Sequence, residues 1–219
     1  KLTESMFSDA TDFDTITIHS NVVIDIDDWP TTWKWLKLRV QKPNQTIDFK
    51  GRTLYTNCNG IVTWPGGITF KNAVFTQGFI ITQATIGLEN CGGPVQLNAA
   101  LQALICDNCG LTITTLQSGR PNVIIKNNSE VSFVNGFGGF TCGEFSVDSS
   151  TVHGNISANV DVVAYNTIFS NDITVYGILN LQRCTVAGSV YQHANDANFI
   201  VTLLNNTLGG SYYMFGAPL

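Results

Sequence analysis

Two carboxylates and two lysines occupy matching positions in the sequence and could support cleavage of a glycosidic bond. Glu89 and Asp107 each stand just before an asparagine, and Lys71 and Lys126 hold the same place in neighbouring segments. Two nearby carboxylates raise the pKa of one of them, as an acid catalyst requires. Alternating charges are also an ordinary way to compensate a structural ladder. Glu89 and Asp107 are therefore either catalytic carboxylates or charge-compensating surface residues.

Aromatic rings suggest sugar binding as a second chemistry, because exposed Trp and Tyr present an apolar face beside a polar edge. One tryptophan lies in a loop rich in Pro and Gly, and one tyrosine shares the outward position of the two carboxylates. Three further tryptophans between residues 29 and 35 precede the repeats, which favours a role in capping. The candidate binding residues are Trp64, Lys71, Lys126 and Tyr165.

Metal and nucleophile chemistry have less support. An acidic run over residues 25–28 offers oxygen ligands, but its spacing matches no calcium loop. Cys106 and Cys109 have a C-x-x-C spacing, yet a core thiol at Cys106 and a stacked pair of Cys109 with Cys91 explain them better than zinc does. That pair could form a disulfide in an oxidising medium. The histidines are isolated in sequence with no visible Ser or Cys partner, so we expect neither a nucleophilic enzyme nor a metal or cofactor.

The segments that would position these side chains repeat along the chain. Residues four and two places before each repeat's anchor residue are apolar and face inward, since strand side chains alternate. The spacing between anchors, 17 to 22 residues, leaves no room for a crossover helix and is typical of a solenoid. The anchors are Gly51, Asn72, Asn90, Asn108, Asn127, Ser149, Asn166, Arg183 and Asn205.

The anchors predict a corner in each coil. Most are Asn and one is Gly, the residue types that best tolerate a left-handed backbone. Stacked Asn side chains can also hydrogen-bond from coil to coil. Ser149 and Arg183 break the row and are expected to mark local changes in the corner.

The whole pattern predicts an all-β chain that folds as a right-handed parallel β-helix of about nine coils with an N-terminal cap. Residues 1–45 would form a lead-in and cap, and residues 46–219 the solenoid. Strands are expected within the lead-in at 15–19, 22–26 and from 36 to 40. Loops are expected at 57–67, 135–143 and 192–198, and a helical turn at 94–101.

Composition restricts the function classes further. The 219 residues are 44% hydrophobic but only 12% charged, with a net charge of −5. That charge gives no electrostatic attraction for nucleic acid, and no apolar run reaches the length of a membrane span. Six cysteines are too sparse for a disulfide scaffold. The chain begins at Lys1 with no apolar leader, as expected of an excised or processed piece.

The segments Ile47–Leu54 and Gly67–Phe75, together with the Asn row, resemble the opening coils of the pectate-lyase-like superfamily. That superfamily includes polysaccharide lyases, polygalacturonase-type hydrolases and bacteriophage tailspikes. An Asn-, Thr- and Gly-rich chain with few charges is most similar to the tailspikes. The resemblance implies a host-recognition module on the virion surface that binds cell-surface glycan as a homotrimer. A polysaccharide lyase or hydrolase and a structural spacer remain the alternatives, with a non-enzymatic role favoured.

Overall fold

A computed structural model describes residues 15–18, 22–23, 37–40, 45–54, 61–62, 67–75, 79–82, 84–97, 101–115, 120–134, 140–193 and 200–216. All the regular secondary structure in these ranges is β-strand. The strands are β1 Thr15–Ile18, β2 Val22–Val23, β3 Lys37–Val40, β4 Gln45–Leu54, β5 Ile61–Val62, β6 Ile68–Phe75, β7 Phe79–Thr82, β8 Ala84–Glu89, β9 Gly92–Leu97, β10 Leu101–Asp107, β11 Gly110–Thr115, β12 Asn122–Lys126, β13 Glu130–Val134, β14 Phe140–Cys142, β15 Phe145–Asp148, β16 Thr151–His153, β17 Ile156–Ala158, β18 Val162–Tyr165, β19 Ile168–Phe169, β20 Ile173–Val175, β21 Leu179–Gln182, β22 Thr185–Val186, β23 Val190–His193, β24 Val201–Leu204, β25 Thr207–Leu208 and β26 Tyr212–Phe215.

The strands stack as a parallel β-solenoid, which confirms the predicted fold. Side 1 comprises the strands before the anchors: the first parts of β4 and β6, then β8, β10, β12, β15, β18, β21 and β24. Side 2 comprises the strands after them: the last parts of β4 and β6, then β9, β11, β13, β16, β19, β22 and β25. Side 3 holds β14, β17, β20, β23 and β26. The solenoid makes about seven turns, slightly fewer than the nine coils predicted.

One apolar column fills the solenoid because inward residues recur at the same two positions of each coil. The residues four and two places before the anchors are buried in every coil except the last, where Val201 is half-buried and Leu203 is 40% exposed. The inward residues of sides 2 and 3, such as Phe169 and Ile173, join the same cluster. A coil cannot bury its apolar face alone, so stability comes from contact between neighbours.

The predicted corner is confirmed at every anchor. All nine anchors have positive φ, from +49° at Ser149 and Asn166 to +79° at Gly51. Their side chains also form part of the expected ladder. Asn108 donates to Asn90 Oδ1 at 2.7 Å, and Asn90 donates to Asn72 Oδ1 on the preceding coil at 3.3 Å. These hydrogen bonds pair the side-chain amides of anchors whose backbone is left-handed.

A second ladder lies inside the corner, immediately after the anchors. Its buried members are Cys91, Cys109, Ser129, Ser150, Thr167 and Cys184. In this ladder a side-chain oxygen or sulfur accepts a hydrogen bond from a backbone N–H of the preceding coil. For example, Ser129 Oγ accepts from the N–H of Cys109 at 3.0 Å. Ser150 and Thr167 also donate to carbonyls two residues earlier in their own coils, both at 2.8 Å. Polar groups are thus paired where the backbone bends into the core, as burial demands.

The cysteine predictions are confirmed in geometry. Cys106 is a fully buried core thiol. Cys91 and Cys109 stack on adjacent coils, with the Cys91 N–H donating to Cys109 Sγ at 3.4 Å, and both are free thiols. A hydrogen bond with Cys109, followed by burial, raises the pKa of the Cys91 thiol. These contacts are structural.

Two local predictions are wrong. The first coil is offset, because Ile47 pairs with Phe70 and not with Ile68; the extra length is taken up around Lys50 and Gly51, both left-handed. The expected helical turn at 94–101 is instead strand up to Leu97 and again from residue 101, since β9 and β10 pair with their neighbours on both sides.

The lead-in contains the three predicted strands, β1, β2 and β3. β1 pairs with β3, while β2 pairs with Ile47 and Asp48 of β4, so parallel pairing extends into the expected cap. Most of the three predicted loops lies outside the described residues. No helix in the described part of the chain is long and apolar enough to cross a membrane.

Arg183 tests the importance of the corner. It is exposed and holds φ +55°, a conformation that costs an ordinary residue about 1–2 kcal/mol. We expect Arg183→Asn to raise the free energy of unfolding by about 0.5–1 kcal/mol, measured by urea denaturation. Arg183→Gln is the matched control, because it removes the charge without favouring left-handed geometry. Equal midpoints for the two variants would contradict the account.

Candidate functional site

The predicted charged residues form one column on the outer face of side 1. Glu89 pairs with Asp107 on the adjacent coil, Lys71 with Glu89, and Lys126 with Asp107. Each carboxylate makes an ion pair with a lysine: Lys71 Nζ lies 2.5 Å from Glu89 Oε1, and Lys126 Nζ lies 3.1 Å from Asp107 Oδ2. The register predicted from the anchors is therefore correct for all four residues.

The electrostatics of this column favour charge compensation. Burial alone would raise the pKa of Asp107, but hydrogen bonds from Asn127 and Lys126 and the lysine charges outweigh it and lower that pKa. The hydrogen bond and charge of Glu89 raise the pKa of Lys71. A general acid needs a raised carboxyl pKa, so these contacts give no support to acid catalysis by Asp107.

The remaining predicted binding residues have different positions. Tyr165 continues the column, half-buried, and its hydroxyl accepts from Asn180 Nδ2 at 3.4 Å. Asn180 in turn accepts from Gln182 at 3.1 Å, which extends a polar patch along side 1. Trp64 and the acidic run at 25–28 lie outside the described residues.

A cleft of about 320 Å³ opens at the corner between sides 1 and 2. It spans three consecutive coils and is bordered by amides, hydroxyls, one carboxylate and one apolar side chain. Its lining residues are Asn128, Ser129, Glu130, Ser149, Ser150, Thr151, Asn166 and Ile168. This cleft is a candidate binding site in the described part of the chain.

The cleft has two causes in the sequence. Ser149 replaces the usual asparagine with a shorter side chain, as the break in the row predicted. The coil above also contains one extra corner residue, because Asp107 pairs with Lys126 while Gly110 pairs with Glu130. Asn127 and Asn128 both adopt positive φ to accommodate it. The wider corner lies above the shorter side chain, and the surface between them is recessed.

Beside the cleft, side 2 carries a chain of hydrogen bonds that sequence reasoning missed. His153 Nδ1 lies 3.1 Å from Ser170 Oγ, and His153 Nε2 lies 3.1 Å from Glu130 Oε1. The repeat itself held the signal: His153 and Ser170 each stand four residues after their anchors, Ser149 and Asn166. The histidine is isolated in sequence but not in the solenoid.

Within the described residues, no group of three or more His, Cys, Asp or Glu side chains is arranged to hold a metal ion. A scan against protein-family models found no match to the chain, and searches of curated proteins and of solved structures found no significant similarity. The function of the chain is therefore inferred from its residues and their geometry.

The charge column predicts a specific dependence of stability on pH. Because the pKa of Asp107 is lowered in the folded protein, its contribution is present above the ordinary carboxyl pKa and is lost as the pH falls through the lowered value. Asp107→Asn should therefore lower the free energy of unfolding at neutral pH, measured by urea denaturation, by less than about 1 kcal/mol for a partly exposed pair.

The difference between the two proteins should shrink as the pH falls below the ordinary carboxyl pKa of about 3.9 and through the lowered value. Glu144→Gln is the control, since Glu144 is exposed and has no ion pair within the described residues. A constant difference between wild type and Asp107→Asn across this range would contradict the assignment.

Proposed function

We propose that the chain is a surface-recognition module of the tailspike type, which binds a host cell-surface glycan at the virion surface. The observation that supports this proposal is the corner cleft of about 320 Å³. Its lining mixes groups that donate and accept hydrogen bonds, which is what a ligand covered in hydroxyl groups requires. The resemblance of the opening coils and the Asn row to the pectate-lyase-like superfamily, and the tailspike-like composition, are consistent with it.

The composition of the cleft suits a sugar more than a charged or apolar ligand. Asn128 and Asn166 present exposed amides, Thr151 adds a hydroxyl, and Glu130 adds a carboxylate that accepts. Ile168 is 51% exposed and offers an apolar surface to the C–H face of a sugar ring. Only one of the lining residues carries a charge.

The cleft is also preorganised. Asn128, Ser149 and Asn166 are held by left-handed backbone at the corner, and Ser129 and Ser150 are fixed beneath them by the inner ladder. Side chains on a rigid corner lose little conformational freedom when a ligand binds, which favours affinity. A solenoid further repeats its surface along one axis, as a polymeric ligand with a regular repeat requires.

Binding should depend on the exposed amides of the cleft. We expect Asn128→Gly and Asn166→Gly each to weaken binding of a responsive polysaccharide about three- to tenfold, the value of one hydrogen bond. Glycine keeps the positive φ without strain, so the fold is retained. Titration calorimetry against a panel of purified capsular and O-antigen polysaccharides provides the measurement.

Asn205→Gly is the matched control, because Asn205 is an exposed anchor of the same geometry away from the cleft. Equal losses in all three variants would contradict binding at the cleft. New reducing ends or unsaturated products that disappear in Asp107→Asn would overturn the binding-only proposal in favour of the polysaccharide lyase or hydrolase.

The last coil supports self-association, for which the tailspike resemblance implies a trimer. Its inward residue Met214 is 59% exposed, and no residue between 200 and 216 is charged. The rings of Tyr213 and Phe215 end two stacks, on Tyr191 at 5.1 Å and on His193 at 4.8 Å. An uncharged, apolar strand edge invites pairing with another strand edge, and a second copy of the chain can supply that edge.

We expect the wild-type chain to behave as an oligomer in multi-angle light scattering at micromolar concentrations. Met214→Lys should shift it to monomer, because a charge would be buried without a partner. Thr185→Lys, at an exposed position on side 2, is the control and should leave the mass unchanged. A wild-type protein that is monomeric throughout would contradict self-association.

A further inference from the structure

The hydrogen-bonded chain on side 2 joins three coils. His153 lies between Ser170 of the next coil and Glu130 of the preceding coil, at 3.1 Å from each. We propose that this is a serine-hydrolase site for small carboxylic esters. Ser170 is the nucleophile, His153 is the general base, and Glu130 is a positioning residue.

The partners of His153 define which ring nitrogen acts as the base. An ionised carboxylate only accepts hydrogen bonds, so Nε2 carries the proton that is donated to Glu130. In the neutral imidazole Nδ1 then has the free lone pair, and it faces Ser170 Oγ. A nucleophile hydrogen-bonded to a base, which is itself oriented by a third group, is the arrangement that activates serine.

Asn171 supports the nucleophile from the other side. Its Oδ1 lies 2.8 Å from Ser170 Oγ and accepts from the Gly154 N–H at 3.0 Å. The serine hydroxyl has three acceptors within reach: Asn171 Oδ1, the Val152 carbonyl at 3.5 Å and, when the ring is neutral, His153 Nδ1. Because both bonds use Oδ1, the side-chain amide of Asn171 is left as a donor.

Donors for the oxyanion lie at the same residue. The backbone N–H of Asn171 has no acceptor within the described residues, and it belongs to the residue directly after the nucleophile. Serine hydrolases use the N–H in that position to stabilise the oxyanion. In this proposal the Asn171 backbone N–H is the donor that stabilises the oxyanion.

Small residues lie next to Ser170 on the coil that follows. The positions below Ser170 and Asn171 hold Ala187 and Gly188, as the bond from the Ala187 N–H to the Phe169 carbonyl at 2.8 Å shows. A Cβ at Gly188 would lie 2.3 Å from Asp172 Oδ1, so packing keeps this position small. Ser170 is half-buried and Ala187 is exposed, so a small ester can approach Ser170 over the side chain of Ala187.

The reaction proceeds in two steps, acylation of Ser170 and hydrolysis of the acyl-serine. Ser170 Oγ attacks the ester carbonyl while His153 Nδ1 takes the hydroxyl proton. The bond from the carbonyl carbon to the alcohol oxygen then breaks, and the alcohol leaves with that proton. Water next attacks the acyl-serine and gives a proton to His153. The acyl–Oγ bond breaks, the carboxylic acid is released, and Ser170 regains its proton.

The positions of the three side chains predict unequal contributions. His153 exchanges a proton with the reacting atoms, and removing such a base typically costs about 10²- to 10⁴-fold in rate. Glu130 has a side chain that is 72% exposed, so solvent weakens its hold on the ring. Glu130→Gln should therefore slow the reaction only a few-fold.

The test is covalent labelling with a fluorophosphonate, followed by intact-mass and peptide mass spectrometry. We expect one adduct on the wild-type protein, mapped to Ser170. His153→Gln should slow labelling at least about 100-fold, and hydrolysis of p-nitrophenyl acetate should fall in parallel. Ser146, an exposed serine on side 1 of the same protein, is the internal control and should remain unlabelled.

Two outcomes would overturn the proposal: no adduct at Ser170 of the wild-type protein, or labelling of Ser170 at the same rate in His153→Gln. The first needs no variant and so does not depend on a substitution folding correctly. For the second, the urea midpoint of His153→Gln identifies a folded sample. The proposal can fail separately from glycan binding, because the label reacts at Ser170, which does not line the cleft.

Discussion

Every coil of this protein turns at a residue held in left-handed backbone conformation, and the other features depend on that corner being repeated in register. A strand gives its two faces to alternate residues, so a shift by one residue would turn the apolar column outward. The corner prevents such a shift because few residue types adopt positive φ without cost. Outside it the Asn ladder joins neighbouring coils, and inside it the ladder of thiols and hydroxyls satisfies the bent backbone.

This constraint also explains where a binding site can form. The regular columns place like residues above one another, which suits ladders such as the Lys71–Glu89 and Asp107–Lys126 ion pairs. A recess needs a break in the repeat. The extra residue at Asn128 and the short side chain of Ser149 supply that break on adjacent coils. The same stacking brings His153 onto Ser170, although 17 residues separate them in the chain.

The sequence was sufficient for the fold because the corner and the inward positions are local patterns that recur. Every anchor from Gly51 to Asn205 was predicted and has positive φ. The first coil was misaligned because Lys50 also has a left-handed backbone, and lysine is not a residue type from which that conformation is predicted. The cleft was not predicted, since its depth depends on how two irregular coils stack. The contact of His153 with Ser170 was accessible from the anchors but was missed because the histidines were considered as neighbours in sequence alone.

The most direct test of the account is disulfide trapping of the coil register. Ser146 and Val163 are partners on adjacent coils of side 1, with side chains on the outer face. Cysteines at such positions fall within the range of Cα separations that a disulfide allows. The protein with Ser146→Cys and Val163→Cys should form a crosslink between these positions on oxidation, identified by peptide mass spectrometry. With Ser146→Cys and Asn180→Cys, two coils apart, no crosslink should form; crosslinking of the second pair in preference to the first would contradict the register.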